Sequence, residues 1–127
     1  MKFLKIEDLS GEWQCEGKGL HYGKSDYNTT WNGVMTISQS YDEILVKLKT
    51  GKSVSYSTQA ELKRVSDGEY VLSYFYKNVP KSDADHDMHK HYGSCRIFFN
   101  KENDFAEADY FTDRDRGSYG TMTLKKS

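Results

Sequence analysis

The chain has 127 residues, about the length of one domain, and it carries 10 Tyr, 6 Phe and 2 Trp. Charged residues make up 29% of the chain and hydrophobic residues 36%, so the composition predicts a single globular domain over 1–127 rather than a disordered segment. The formal net charge of −1 argues against a protein that binds duplex nucleic acid nonspecifically, because such a protein needs a basic surface. A small anionic ligand held by one or two arginines is not excluded.

The termini and the cysteines indicate where the chain resides. The first residues, MKFLKIEDLSG, lack the apolar segment of a signal peptide, and no apolar run reaches the roughly 18 residues of a transmembrane helix. We therefore expect a cytoplasmic protein. Cys15 and Cys95 lie in strand-like stretches and are expected to be buried free thiols, with a disulfide as the alternative.

In chain order, almost every segment has the pattern of a β-strand. Runs rich in Val, Ile, Thr, Tyr and Phe, separated by Gly, Asn, Asp and Lys clusters, predict eight strands: 9–16, 28–39, 43–50, 53–64, 69–77, 91–99, 104–112 and 117–125. Gly51-Lys52 predicts a two-residue turn of type II′, and further hairpin turns are expected at 66–68, 100–103 and 114–117. Two longer loops are expected at 17–27 and 78–90.

The strand order predicts the fold class. Eight antiparallel strands joined mainly by hairpins are typical of an all-β, up-and-down barrel with a lipocalin-like outline, in which closure removes the exposed sheet edges. A barrel of eight strands has room for one small ligand at one end.

Register predicts that three alternating serines face the inside of this barrel. Ile44, Val46 and Leu48 form the apolar, interior face of the third strand, and residues that flank a two-residue turn share a face. Ser53, Ser55 and Ser57 therefore point inward, whereas Val54 and Tyr56 point outward. Because Ala60 and Leu62 are also expected inside, a β-bulge near Thr58-Gln59 must change the alternation.

The barrel interior is therefore expected to have two different halves. One half is packed by nine apolar side chains: Trp13, Met35, Ile37, Ile44, Leu62, Leu72, Ile97, Met122 and Leu124. The other half is lined by hydroxyl groups, which need hydrogen-bond partners when buried. Those partners are either water or a polar ligand, and the pattern favours a ligand.

Aromatic and basic residues are expected at the same hydroxyl-lined half. Tyr74 and Tyr76 share the interior face of their strand, and Tyr110 and Thr112 follow two small alanines on theirs. A tyrosine ring can stack on a base, and the planar fork of Arg114 can bind a phosphate or a base edge. The alternative is that these tyrosines pack the barrel wall and that Arg114 is solvated in a hairpin.

The sequence contains one cluster of metal-ligand types and no catalytic motif. His86, His89 and His91 lie close together among aspartates, but their spacing matches no closed structural zinc site. His91, at the start of a strand, is expected instead at the mouth of the pocket. We predict no metal, no cofactor and no enzymatic activity.

Six segments in order give the chain a resemblance to one bacterial family. They are LSGEW (9–13), ISQSYDEILVKLKT (37–50), SVSYSTQAEL (53–62), LSYFYKNVP (72–80), HYG (91–93) and ADYFTDRDRGSYGTMTL (108–124). This order resembles the β-barrel domain of the STING-like, two-transmembrane, β-strand-rich effectors of CBASS, the cyclic-oligonucleotide-based antiphage signalling systems.

The resemblance implies a function. In that family a partner nucleotidyltransferase makes a cyclic dinucleotide, the barrel binds it, and attached membrane helices oligomerise and disrupt the inner membrane. It implies ligand contacts drawn from Ser53, Ser55, Ser57, Tyr74, Tyr76, His91, Tyr110, Thr112 and Arg114. The two helices are absent from this chain, so the membrane would be reached only through a longer effector at the cytoplasmic face of the inner membrane.

Other readings of the sequence stay open at this point. A freestanding barrel could be a soluble sensor or a phage-encoded sponge that sequesters the nucleotide. The segment Gly11-Glu12-Trp13 also resembles the glycine-x-tryptophan signature of lipocalins, which implies a carrier of an apolar ligand. A metal-assisted enzyme and an interaction domain with a water-filled barrel are the further alternatives.

Overall fold

The computed structural model describes residues 9–21, 24–66, 68–81, 91–112 and 118–127, and every regular element in these ranges is a β-strand. In chain order the strands are β1 (Gly11–His21), β2 (Lys24–Gln39), β3 (Ile44–Thr50), β4 (Ser53–Ser66), β5 (Glu69–Pro80), β6 (His91–Phe99), β7 (Phe105–Thr112) and β8 (Ser118–Lys126). Each strand pairs with the next, and β8 pairs antiparallel with β1, which closes the barrel. The predicted eight-stranded, up-and-down barrel is confirmed. Within the described ranges, no helix has the length and apolar character needed to cross a bilayer.

One end of the barrel, here called the packed end, is filled by apolar side chains. The Trp13 ring is fully buried and meets the Phe99 ring edge-on, with the ring centroids 5.3 Å apart. The indole Nε1 of Trp13 donates to the Leu9 carbonyl oxygen at 3.1 Å, which ties the chain just before β1 across this end. Of the nine predicted core residues, seven are buried and the other two, Ile44 and Leu62, pack against them half-buried. The predicted apolar half is therefore confirmed.

The register between β3 and β4 is the one that the two-residue turn predicts. Leu48 lies opposite Ser55, and Lys49 lies opposite Val54. Ser53 and Ser55 are buried, whereas the Tyr56 side chain is 46% exposed. A short turn leaves the two strands no freedom to slip, so the apolar face of β3 forces the serines of β4 inside the barrel.

The β-bulge predicted in β4 is present at Thr58. Ser57 lies opposite Tyr76 and Gln59 lies opposite Phe75, so Thr58 has no partner in the ladder. The extra residue shifts the alternation by one, and this shift lets Ala60 pack against the core on the same side as the serines.

The predicted loop at 17–27 is wrong. β1 continues to His21 and β2 begins at Lys24, so the two strands pair through most of this segment. Gly17, the first residue of the predicted loop, lies opposite Trp31, where a side chain on Gly17 would overlap the indole ring. The glycine is therefore needed for close packing inside a strand.

The second long loop, predicted at 78–90, begins later than expected. β5 continues to Pro80, which pairs with Ser53 as the last residue of its strand, a position that tolerates a residue without an N–H donor. Residues 82–90, with His86 and His89, lie outside the described part of the chain.

The turns predicted at 51–52 and 100–103 are present, with one difference in type, whereas the turn predicted at 66–68 is described only at its two ends and that at 114–117 lies outside the described residues. Gly51-Lys52 joins β3 to β4 as predicted, but the φ angle of Gly51 is not in the left-handed region that a type II′ turn requires. Between β6 and β7, the Asn100 amide donates to the Phe105 carbonyl oxygen at 3.0 Å, and Asn103 has a φ of 55°. Asparagine is one of the few residues that adopts this conformation readily, which explains its use in the turn.

Candidate functional site

A buried network of polar side chains lies at the other end of the barrel interior, here called the polar end. Asn78 is its centre, and Asn78 Nδ2 donates to Ser53 Oγ at 2.9 Å and to Ser55 Oγ at 2.7 Å. Thr50 Oγ1 lies 3.4 Å from Ser53 Oγ and extends the network to the end of β3. Each of the three central side chains is at most 8% exposed. Groups buried this deeply need partners, and here they supply one another.

The third predicted serine belongs to a different contact. Ser57 is half-buried, and its Oγ accepts a hydrogen bond from the Val46 amide at 2.9 Å. Because Thr58 is bulged beside it, the ladder is interrupted here, and the Ser57 hydroxyl satisfies a backbone donor of β3. Ser57 therefore helps to hold the bulge.

Three aromatic rings lie against glycines on neighbouring strands. Trp31 covers Gly17, Tyr76 covers Gly93 and Tyr110 covers Gly120, and a β-carbon on any of these glycines would overlap the ring. Aromatic side chains laid over strand glycines are a known device for fixing register in curved sheets. The glycines let the rings lie close to the barrel wall.

The hydroxyls of these tyrosines are anchored to the backbone two strands away. Tyr76 Oη, from β5, donates to the Phe111 carbonyl oxygen on β7 at 3.3 Å. Tyr110 Oη, from β7, donates to the Lys18 carbonyl oxygen on β1 at 3.4 Å and accepts from Trp31 Nε1 at 3.1 Å. The Trp31 and Tyr110 rings meet edge-on at 6.0 Å between centroids. Because both hydroxyls are hydrogen-bonded to the protein, the groups that Tyr76 and Tyr110 can present to a ligand are mainly their ring faces.

Tyr74 and Cys95 separate the polar end from the packed end. The Tyr74 hydroxyl is hydrogen-bonded to the Cys95 thiol, and its ring lies 6.1 Å from the Tyr76 ring. Burial raises the pKa of Tyr74 well above its ordinary value, and burial raises the pKa of Cys95 to about 12. Both groups are therefore neutral at physiological pH, so the floor of the polar end carries no charge.

Strand pairing brings eight of the nine predicted site residues onto four adjacent strands. Tyr76 lies opposite Ser57 and Gly93, and Gly93 lies opposite Thr112, so these residues form one row across β4 to β7. His91 lies opposite Asn78 at the barrel mouth, where His91 and Thr112 are half-buried. Arg114, the ninth residue, lies outside the described residues.

The sequence-based prediction missed Asn78 and two lysines. Asn78 continues the alternation of Leu72, Tyr74 and Tyr76, so extending the strand by two residues would have placed it inside the barrel. The Lys81 amide donates to the Lys52 carbonyl oxygen at 2.9 Å, which brings these two cationic residues together at the rim beside Ser53. No sequence pattern links Lys52 to Lys81, since Lys52 lies in the β3–β4 turn and Lys81 follows β5.

Metal-ligand clusters and cysteine pairing can be checked within the described ranges. Within the part of the chain that the structure describes, no group of three His, Cys, Asp or Glu side chains is placed to hold a metal ion. Cys15 and Cys95 are both buried free thiols, as predicted. Two surface depressions, one beside Lys18 and Trp31 and the other beside Tyr74 and Cys95, are lined by neither Ser53, Ser55 and Ser57 nor Asn78.

The fold and the polar end together are typical of one class of protein, the closed β-barrels whose interior has room for a small ligand at one end. A family model described as "Cap15, cyclic dinucleotide receptor domain" matches residues 4–126, so the chain belongs to this family. The CD-NTase-associated protein 15 of Yersinia aleksiciae is 34% identical over 125 residues, which are 98% of this chain and 58% of that protein. The chain thus spans a little over half the length of this curated relative.

The family assignment confirms the resemblance from which the function was predicted. A receptor domain for cyclic dinucleotides is a binding domain, and the chain is placed with the receptor domains of CBASS-associated proteins. The assignment also favours a nucleotide over the apolar ligand of a lipocalin-like carrier, in agreement with the polar end.

Proposed function

We propose that this domain binds a cyclic dinucleotide inside the polar end of its barrel. The observation that carries the proposal is the buried Ser53–Asn78–Ser55 network, because an apolar carrier would have no reason to bury three polar side chains where its ligand enters. The family description supplies the chemical class of the ligand.

The bases of the ligand would use the aromatic rings. Tyr76 and Tyr110 have their hydroxyls bonded to backbone carbonyl oxygens, so each ring is held in one orientation. A base that stacks on such a ring gains roughly 1–3 kcal/mol, and little side-chain entropy is lost on binding because the ring is already fixed.

The phosphates of the ligand would be bound at the rim. Lys52 and Lys81 lie beside the buried serines, and Arg114 follows the last residue of β7 by two positions in the sequence. A guanidinium group binds a phosphate through two parallel hydrogen bonds, and hydroxyl groups such as those of Thr112 and Ser53 donate single ones. The buried floor is neutral, so the charge of the phosphates must be balanced at the rim.

The wider role follows from the family and from the length of the relative. We propose that the domain is the cytoplasmic sensor of an antiphage effector, that ligand binding drives it to form a homo-oligomer, and that membrane helices outside this chain carry out the disruption. The Yersinia protein is longer than this chain, which leaves room in such a protein for segments beyond the receptor domain.

Calorimetry and thermal denaturation against cyclic dinucleotides, cyclic trinucleotides and fatty acids test the binding proposal. A ligand at a hundredfold excess over its Kd stabilises the fold by about 2.7 kcal/mol. Ser55→Leu and Arg114→Ala are expected to abolish binding of a cyclic dinucleotide while the protein stays folded. Stabilisation by a fatty acid alone would make the domain a carrier.

Two outward-facing substitutions serve as matched controls. Thr121→Leu places the same apolar side chain on the exposed face of β8, and Arg96→Ala removes an arginine that pairs with Asp109 on the outer wall. Both variants are expected to bind like the wild type. Normal binding by both Ser55→Leu and Arg114→Ala would place the pocket elsewhere.

The oligomerisation proposal needs a separate measurement. Light scattering after size-exclusion chromatography, with and without the cyclic dinucleotide, is expected to show a larger assembly only with ligand. A domain that binds the nucleotide and keeps its mass would contradict this part of the proposal and leave the binding part intact.

A further inference from the structure

One buried atom at the polar end has no hydrogen-bond partner. Asn78 uses both N–H groups of its amide on Ser53 and Ser55, while its Oδ1 is buried and accepts no hydrogen bond. The residue is only 8% exposed. Leaving a buried acceptor unsatisfied is costly, so such an atom in a binding barrel points to a donor that a ligand brings.

The described residues contain one other buried side-chain atom of this kind, and it has a different explanation. Asn103 Oδ1 also lacks a partner, but Asn103 lies in the β6–β7 turn with a φ of 55°. Its backbone conformation accounts for an asparagine at that position. Asn78 has ordinary strand geometry and pairs regularly with Ser55 and His91, so backbone conformation does not explain it.

The Ser55 hydroxyl, beside the acceptor Asn78 Oδ1, can act as a hydrogen-bond donor. Ser55 Oγ accepts from Asn78 Nδ2 and makes no other hydrogen bond among the described residues, so its hydroxyl proton is available to donate. Asn78 Oδ1 and the Ser55 hydroxyl therefore present an acceptor next to a donor. A base edge that carries an amino group beside an unprotonated ring nitrogen complements this pair.

The position of the pair relative to Tyr76 suits a stacked base. Tyr76 and Asn78 are two residues apart on the same interior face of β5, which places them about 6.6 Å apart along the strand. A purine lying on the Tyr76 ring would direct one edge along the strand towards Asn78. The backbone-anchored ring would then position the base, and Asn78 with Ser55 would read its edge.

We propose that Asn78 determines base specificity in this domain, with its Oδ1 accepting a hydrogen bond from the exocyclic amino group of a purine while Ser55 donates to the adjacent ring nitrogen. This inference rests on the proposed function, because it assigns a role within the same pocket. It selects adenine or guanine, each of which carries an amino group next to a ring nitrogen, over uracil, which has no amino group.

Paired ligands that differ only in the amino group test the assignment. Cyclic di-AMP, cyclic UMP–AMP and cyclic di-GMP are each compared with the analogue in which purine riboside replaces adenosine or inosine replaces guanosine. The wild-type domain is expected to bind the tightest of these ligands roughly 5- to 150-fold better than its amino-free analogue, because the analogue leaves the Asn78 oxygen unsatisfied. Calorimetry measures both affinities.

The variants show whether Asn78 is the cause. In Asn78→Ala the parent ligand and its analogue should bind equally, which is the double-mutant-cycle signature of a direct contact. Asn78→Asp keeps an acceptor oxygen but adds charge, so it should bind both ligands more weakly and still prefer the amino-bearing one. Asn103→Gly, which removes the other unpartnered amide, should leave the preference at its wild-type value.

The possible results distinguish a failure of the role assigned to Asn78 from a failure of the proposed function. If no cyclic dinucleotide binds the wild type, the proposed function fails. If a cyclic dinucleotide binds and the amino-free analogue binds equally well, or if the preference survives in Asn78→Ala, the domain is a receptor and the role of Asn78 is wrong. If cyclic di-UMP, which carries no amino group on either base, binds most tightly, the role assigned to Asn78 is also wrong.

Discussion

Gly93 offers a direct test of how the aromatic rings are seated in the barrel wall. In the structure the Tyr76 ring lies over this glycine, and the position of a β-carbon here would overlap both the ring and the Phe111 carbonyl oxygen. Gly93→Ala adds that single carbon. Because one of the two obstructing groups, the Phe111 carbonyl, belongs to the backbone, a change of rotamer alone cannot remove the overlap.

The expected cost follows from two contributions. Forcing an extra carbon into a packed position costs about 1–3 kcal/mol. Moving the Tyr76 ring also breaks its hydrogen bond to Phe111, which is 3.3 Å long, and such a bond contributes about 0.5–1.5 kcal/mol. We therefore expect Gly93→Ala to lower the free energy of unfolding by about 2–4 kcal/mol, or the Tm by about 6–20 °C for a domain of this size.

Urea denaturation followed by tryptophan fluorescence measures this change, and Gly51→Ala provides the matched control. A β-carbon at Gly51 meets no atom within 4 Å, and the φ angle there suits any residue, so Gly51→Ala should stay within about 0.5 kcal/mol of the wild type. If the two variants prove equally stable, the argument that glycines seat the rings is refuted.

Three further predictions concern the core, the surface and the pH dependence. Leu72→Ala, in the fully buried centre of the barrel, should lower the free energy of unfolding by about 2–5 kcal/mol in urea denaturation, and a loss below 1 kcal/mol would contradict the packed core. Arg96→Ala should change stability by less than about 1 kcal/mol, because its pair with Asp109 is exposed; a larger loss would show that this ion pair is more than a surface contact. Burial raises the pKa of Cys15 and of Cys95 from 9.0 to about 12, so the unfolded chain releases these protons first and stability should fall as the pH rises from 9 to 12. Replacing both thiols with alanine should reduce that slope, and an unchanged slope would show that the thiols do not cause it.

Much of the barrel could be predicted because its signals are local. Alternation between apolar and polar residues identifies the two faces of a strand, and a two-residue turn transmits that assignment to the next strand. Those two rules were enough to place Ser53 and Ser55 inside and to predict the bulge at Thr58. Both conclusions depend only on residues close together in the sequence.

The errors came from residues whose role depends on a distant neighbour. Gly17 was placed in a predicted loop, yet it lies within β1 and accommodates a tryptophan from β2, although glycine usually weakens a strand. Pro80 was placed in the loop predicted at 78–90, yet it is tolerated as the terminal residue of β5. In each case the residue's intrinsic tendency to interrupt a strand is real, but the contacts with a neighbouring strand outweigh it.

The candidate site, like the fold, could be predicted from the sequence only in part. The sequence by itself determined that the interior of one barrel end carries hydroxyls and tyrosines, because side-chain direction in a strand alternates with a period of two residues. Only the tertiary structure decided that Asn78 bonds both serines and keeps its oxygen unpaired, and that Trp31 meets Tyr110 across 79 residues of chain. Those contacts depend on how the strands are staggered when the sheet closes, and that stagger is a property of the whole barrel.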